Sequence, residues 1–165
     1  MEEALPELGR LSESGRDEFL YRHARLQRTV RLAPGAGAVL AELVEKKALL
    51  GLASNCQPYT LRELDAALEA AHLTRAMFKP DLSFFSFAFG FSKPNAHVFR
   101  VLRARLQACN VRPGETLIVG DRPDNDIAPA QAHGFPTWLL SEDPSPDRQS
   151  GGDWSVLRRY LAHFV

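Results

Sequence analysis

The amino-acid sequence predicts a doubly wound, parallel α/β sheet with helices on both faces, and three observations carry that expectation. Compact apolar runs such as Ala48-Leu49-Leu50-Gly51-Leu52-Ala53 and Leu117-Ile118-Val119-Gly120 lack polar alternation and end in small polar residues or an acid. Strands buried on both faces read this way. Between the runs lie segments with apolar residues at helical spacing. Run and helix then alternate along the chain without an internal repeat, which specifies crossover connections rather than hairpins.

The bulk properties narrow the function classes. At 165 residues the chain is long enough for one domain with a real core. Twenty basic residues balance twenty acidic ones, so no global field favours nucleic acid or an anionic membrane as a partner. The start, Met1-Glu2-Glu3-Ala4-Leu5, is acidic and lacks the apolar core of a signal peptide. No apolar run is long enough to span a bilayer. Cys56 and Cys109 have neither metal-ligand spacing nor the density of a disulfide scaffold. The expectation is a reduced, cytoplasmic protein.

The elements follow in order. A helix is expected over 16–30, where Phe19, Leu20, His23, Leu26 and Val30 recur at helical spacing. Residues 1–32 are read as a helical N-terminal segment and 33–165 as the core domain. Ala33-Pro34-Gly35 breaks the first helix, and Pro34 suits the start of the next. Ala36, Val39, Leu40, Leu43 and Val44 form that helix's apolar stripe, with Lys46 and Lys47 at its C-terminal end. The first strand covers 48–53 and closes in Ser54-Asn55. A helix over 60–72 carries Leu61, Leu64, Leu68 and Ala71. The aromatic run 82–87 is the second strand. Residues 95–109 are helical, 116–120 form the third strand, 127–133 a short helix ended by Gly134, and 137–140 the fourth strand. Residues 141–153, with two prolines and a Gly-Gly pair, are expected to be a loop. Trp154, Leu157, Tyr160 and Leu161 mark a last short helix.

Ligands of such sheets bind beyond the carboxyl ends of the strands. Three strand ends present Ser54-Asn55, then Lys93, then Asp121 with Asp126 five residues on. A hydroxyl and backbone N–H groups can hold phosphate oxygens. A lysine neutralises a developing phosphoryl charge, and two carboxylates suit a hard cation such as Mg²⁺. Each residue also has a plain structural role open to it: Ser54 as a helix N-cap, Lys93 as a solvated loop lysine, Asp121 as a turn acid. Their joint occurrence in this order favours phosphate chemistry. His97 and His133 read as helix-face residues, Cys56 as a small buried thiol, Trp138 as packing, and the Phe-rich stretch 84–91 as core.

These residues resemble motifs of the haloacid dehalogenase (HAD) superfamily, in particular its early-cap, phosphoglycolate phosphatase-like subgroup. Leu52-Ala53-Ser54-Asn55 resembles the second motif, Phe89-Gly90-Phe91-Ser92-Lys93-Pro94-Asn95 the third, and Val119-Gly120-Asp121-Arg122-Pro123-Asp124-Asn125-Asp126 the fourth. The resemblance spans about 33–140. It implies that Ser54, Asn55 and Lys93 bind phosphate, that Lys93 is catalytic, that Asp121 and Asp126 bind Mg²⁺, and that the ligand is phosphate or a phosphorylated small molecule. It also makes 1–32 a cap remnant.

One departure outweighs the matches. The family's first motif is an apolar strand ending in Asp-x-Asp, the first acid being the nucleophile and the second the general acid/base. Ahead of Ser54 the only aspartate is Asp17, among polar neighbours and with Phe19 two residues on. The expectation is a HAD-like fold whose central nucleophile strand is missing, so that the strands ending at Ser54 and Asp121 either pair directly or flank a gap. Such a domain is inactive alone; the alternative is an active Mg²⁺-dependent phosphomonoesterase whose strand comes from an upstream region, a partner chain or a homodimer. A receiver-like signalling domain is set aside because its acids precede its lysine, whereas Lys93 precedes Asp121.

Overall fold

The computed structural model describes residues 9–27, 30–141 and 150–163. Helix α1, Glu13–Gln27, begins three residues earlier than its apolar spacing suggests. Its register places Glu18 against Arg62 at 2.9 Å, and the Arg62 guanidinium lies 3.7 Å from the Tyr21 ring centroid. Helix α2, Ala36–Glu45, is entered through Gly35 at φ 82°, a left-handed conformation that costs glycine little. The first strand is far shorter than its apolar run. Only Ala53–Ser54 forms a ladder, β1, with one isolated bridge from Leu50 to Phe78.

Helix α3, Pro58–Glu69, starts on Pro58. Strand β2 is Phe84–Phe85, and the chain then turns at once into the short helix α4, Ser86–Phe89. Helix α5, Ala96–Ala108, is capped by the Asn95 side chain, which accepts from the His97 N–H at 2.9 Å. Strand β3, Ile118–Gly120, leads through a π-helical turn, Pro123–Ile127, into α6, Ala128–Ala132. Strand β4 is Thr137–Leu140. The expected loop after it contains strand β5, Gly151–Gly152, which pairs with Leu139 and Leu140. Residues 142–149 of that loop lie outside the described residues. A Gly-Gly pair carries no side chains to alternate, so periodicity could not mark it as a strand. Helix α7, Trp154–Leu161, follows.

All pairings are parallel, as continuous apolar runs require. Helices cover both faces. Thr137 accepts from Gln131 of α6 at 2.9 Å, while the next residue, Trp138, turns the other way and packs on Tyr160 of α7 at 4.9 Å. The core cluster is built from Leu82, Phe84, Val98, Phe99, Leu102, Leu106, Ala130 and Phe135. Ala53 of β1 and Ile118 of β3 pack against this same cluster.

The strands nonetheless form two sheets. β1 pairs with β2, and β3 with β4 and β5. Among the described residues no strand bonds to the remaining edge of β1 or of β3, so the strands ending at Ser54 and Asp121 do not pair with each other.

Helix α7 gives a pH-dependent stability. Asp153 caps it, accepting from the Ser155 and Val156 N–H groups at 2.8 and 2.9 Å, and the Ser155 hydroxyl holds its carboxyl below the ordinary aspartate range. Arg158 binds Glu42 of α2 at 2.7 Å and lowers that carboxyl likewise. Both folded values lie below the unfolded ones, so this stabilisation is complete above about pH 4–5 and fades as pH falls through the depressed folded values. Asp153→Ala should therefore lower the thermal midpoint at pH 7 and change it much less near pH 3.

Candidate functional site

The carboxyl ends of β1 and β3 meet at one side chain. Lys93 Nζ donates to the Ala53 carbonyl at 2.8 Å and to Asp126 Oδ1 at 2.6 Å. Both partners are shielded, with side-chain exposures of 15% for Lys93 and 8% for Asp126. An ammonium so placed has lost most of its water and needs these acceptors. Asp126 is held from behind as well, because its Oδ2 accepts from the Arg122 N–H at 3.2 Å. The π-helical turn makes this reach possible, drawing the Asp126 and Ile127 amides onto the Arg122 carbonyl. Gly120 gives the carboxylate room: a Cβ there would lie 2.5 Å from the Asp126 Cβ. The Gly-Asp dipeptide at the end of β3 is thus needed for close approach.

Asn55 clamps the rim. Its side-chain N–H donates to the Lys93 carbonyl at 2.8 Å, and its Oδ1 accepts from the Lys93 N–H at 2.9 Å. The N–H and the oxygen of one side-chain amide thereby fix the backbone of the lysine loop to the end of β1. Ser54, half-buried at that end, stands in the same strand terminus and hydrogen-bonds with the Cys56 thiol, which burial nonetheless pushes above its ordinary range. Such a thiol is a weak nucleophile. The Cys56 N–H donates to Ser86 Oγ at 3.0 Å, and Ser86 Oγ donates back to the Cys56 carbonyl at 3.3 Å, stitching the ends of β1 and β2.

The structure therefore brings Asn55, Lys93 and Asp126 into direct contact, with Ser54 beside Asn55 in the chain. Asp121 is the first residue after β3 and is exposed. Asp124 is drawn away by Arg122, with contacts at 3.2 and 3.0 Å, and the guanidinium holds its carboxyl below the usual range. Ser83 and Ser86 were not singled out in the sequence. Ser83 Oγ accepts from the Leu52 N–H at 3.2 Å and donates to the Lys79 carbonyl at 2.8 Å. Their signal was available: they are the two polar residues punctuating an otherwise aromatic strand.

Mg²⁺ prefers six oxygens in octahedral array, several of them water, with one or two carboxylates. Both Asp126 oxygens accept a hydrogen bond, and Asp121, the first residue after β3, is a second and exposed carboxylate. Among the described residues no group of three or more His, Cys, Asp or Glu stands together as a metal cluster. Asp121 and Asp126 would supply the one or two carboxylates that Mg²⁺ takes alongside water and phosphate oxygens.

A family model described as HAD-hydrolase-like matches residues 90–149, the segment that carries Lys93, Asp121 and Asp126. Phosphoserine phosphatase of Thermus thermophilus is 34% identical over 157 residues, covering 90% of this chain and 59% of that protein. The chain is similar to HAD-superfamily proteins in sequence and in fold. It spans somewhat under two thirds of the curated HAD relative it matches. Two solved HAD proteins share the fold: a HAD phosphatase from Thermococcus onnurineus, with TM-score 0.64 and 21% identity over 88% of this chain and 63% of that one; and the HAD-hydrolase YfnB of Bacillus subtilis, solved bound to magnesium, with TM-score 0.65 and 24% identity over 91% and 61%. Among the described residues no helix is long and apolar enough to cross a membrane.

Proposed function

We propose that this chain is a phosphohydrolase-type HAD domain that holds phosphate at the Ser54–Asn55–Lys93 rim and, as these 165 residues, does not turn over a phosphomonoester. The observation that carries the reading is Lys93 Nζ, bound to the Ala53 carbonyl and Asp126 where the ends of β1 and β3 come together. A phosphate oxygen reaching this ammonium gains a charge-assisted hydrogen bond, with the Ser54 hydroxyl as a second donor. Asn55 keeps the lysine backbone in place, and Asp126 keeps the ammonium aimed at the rim. Mg²⁺ binds weakly, through Asp121 with phosphate present.

Chemistry requires more. Phosphoryl transfer through a covalent aspartyl intermediate needs a carboxylate in line with phosphorus and a positioned acid/base, the latter contributing about 10²–10⁴-fold. Asp126 is tied to Lys93, Asp124 to Arg122, and Asp17 lies within helix α1. A second reading, an active Mg²⁺-dependent phosphomonoesterase completed by a strand from elsewhere, is favoured by the open edges of β1 and β3.

Calorimetric titration with inorganic phosphate tests the binding half of the reading. Saturable binding that weakens at least tenfold in Ser54→Ala and Lys93→Met is expected. Binding unchanged by both substitutions would place phosphate elsewhere.

A further inference from the structure

The short ladder between β1 and β2 is closed at each end by a serine hydroxyl. At the amino end, Ser83 Oγ accepts from the Leu52 N–H at 3.2 Å and donates to the Lys79 carbonyl at 2.8 Å. At the carboxyl end, Ser86 Oγ accepts from the Cys56 N–H at 3.0 Å and donates to the Cys56 carbonyl at 3.3 Å. The register explains why a hydroxyl is needed at the second place. With Ser54 paired to Phe85, the next bond of a parallel ladder would run from the Cys56 N–H to the Ser86 carbonyl. That carbonyl accepts from the Gly90 N–H instead, at 3.1 Å, because the chain turns into α4 at Ser86. The backbone leaves the sheet, and the side chain takes over its bond.

We infer that Ser86 is a positioning residue for the phosphate rim: it holds the segment Ser54-Asn55-Cys56 in the arrangement that takes phosphate. The inference rests on the phosphate reading of the rim given above. Ser54 and Asn55 lie between two fixed points. On one side the Ala53 carbonyl accepts from Lys93 Nζ at 2.8 Å. On the other, both backbone groups of Cys56 are held by the one hydroxyl of Ser86. Between these points Asn55 clamps the Lys93 backbone at 2.8 and 2.9 Å, and Ser54 hydrogen-bonds with the Cys56 thiol.

Removal of the hydroxyl leaves a half-buried Cys56 N–H without its acceptor, and the segment must shift to reach another. A shift at Cys56 moves the Ser54 hydroxyl through their shared hydrogen bond and pulls the Asn55 amide off the lysine loop. Ser86 itself needs no contact with phosphate for this effect. Ser83 provides the contrast, because it makes the same kind of two-way bond in the same strand region but at the end of the ladder opposite the rim.

The test is calorimetric titration of the full chain with inorganic phosphate, together with the rate at which Cys56 reacts with a thiol reagent. Cys109, which is exposed, is replaced by Ser throughout so that Cys56 alone reports. Ser86→Ala should bind phosphate at least about fivefold more weakly, the equivalent of one ordinary hydrogen bond, and its Cys56 should react severalfold faster. Ser86→Thr keeps the hydroxyl and should restore both values. Ser83→Ala loses a matching pair of hydrogen bonds, yet should leave phosphate affinity and thiol rate at the parent level. A merely structural role for Ser86 predicts the same result for the two Ala variants. Parent-like phosphate binding or thiol rate in Ser86→Ala, a Thr variant as impaired as the Ala variant, or equal losses in Ser83→Ala would overturn the inference alone. Absence of phosphate binding by the unsubstituted chain would overturn the phosphate reading and this inference with it.

Discussion

Lys93→Met should destabilise the chain by about 3–5 kcal/mol, because it leaves the Asp126 carboxylate buried without its charged partner. Asp126 is 6% exposed, and its other hydrogen bond, from the Arg122 N–H, is long at 3.2 Å. For a domain of this size the loss corresponds to a fall in thermal midpoint on the order of 10 °C. The double variant Lys93→Met/Asp126→Leu should recover most of it, since replacing both members of a buried pair with apolar groups of similar volume is often close to neutral. Chemical denaturation of the two variants beside the unsubstituted chain measures both numbers. A single variant as stable as the parent would mean that the pair is solvated and does not organise the rim.

Phe84→Ala should cost about as much, 3–5 kcal/mol, by a different cause. Phe84 is fully buried, its ring stacks on Phe89 at 4.7 Å and lies 5.5 Å from Phe91, and its backbone N–H bonds to Leu52. Phe89 and Phe91 lead directly to Lys93, so the cavity left by the ring sits under the lysine loop. Weaker phosphate binding should accompany the loss of stability. Phe87→Ala is the control: Phe87 is 39% exposed, and the change should cost far less.

The contrast between the fold and the rim shows what the sequence could convey. Among the described residues, apolar runs and helical spacing placed the helices to within a few residues, except for the short helix Ser86–Phe89, which was read as part of a strand, and identified every strand except Gly151–Gly152. The strands came out shorter than their runs for a physical reason. A ladder needs a neighbour, and the run 48–53 has β2 on one side and an open edge on the other. Leu49 is accordingly 56% exposed despite its place in an apolar run. At the rim, residue type and order along the chain were enough to single out Ser54, Asn55, Lys93, Asp121 and Asp126. Their partners were not legible. That Asn55 uses both ends of its amide on the Lys93 backbone is a tertiary contact between residues far apart in sequence, and that Asp126 reaches Lys93 depends on the π-helical turn, which inserts a residue that spacing arguments for an ordinary helix omit. The separation of β1 from β3 was one of two outcomes open in the sequence.

A phosphatase assay on the 165-residue chain decides whether this rim holds phosphate without a nucleophile to attack it. The substrate is para-nitrophenyl phosphate, with and without Mg²⁺, and Asp121→Ala serves as the control. Nitrophenol should be released at the background rate by the chain and by the variant alike. Sustained Mg²⁺-dependent turnover that disappears in Asp121→Ala would contradict it and show that an acid within these residues fills the nucleophile's place.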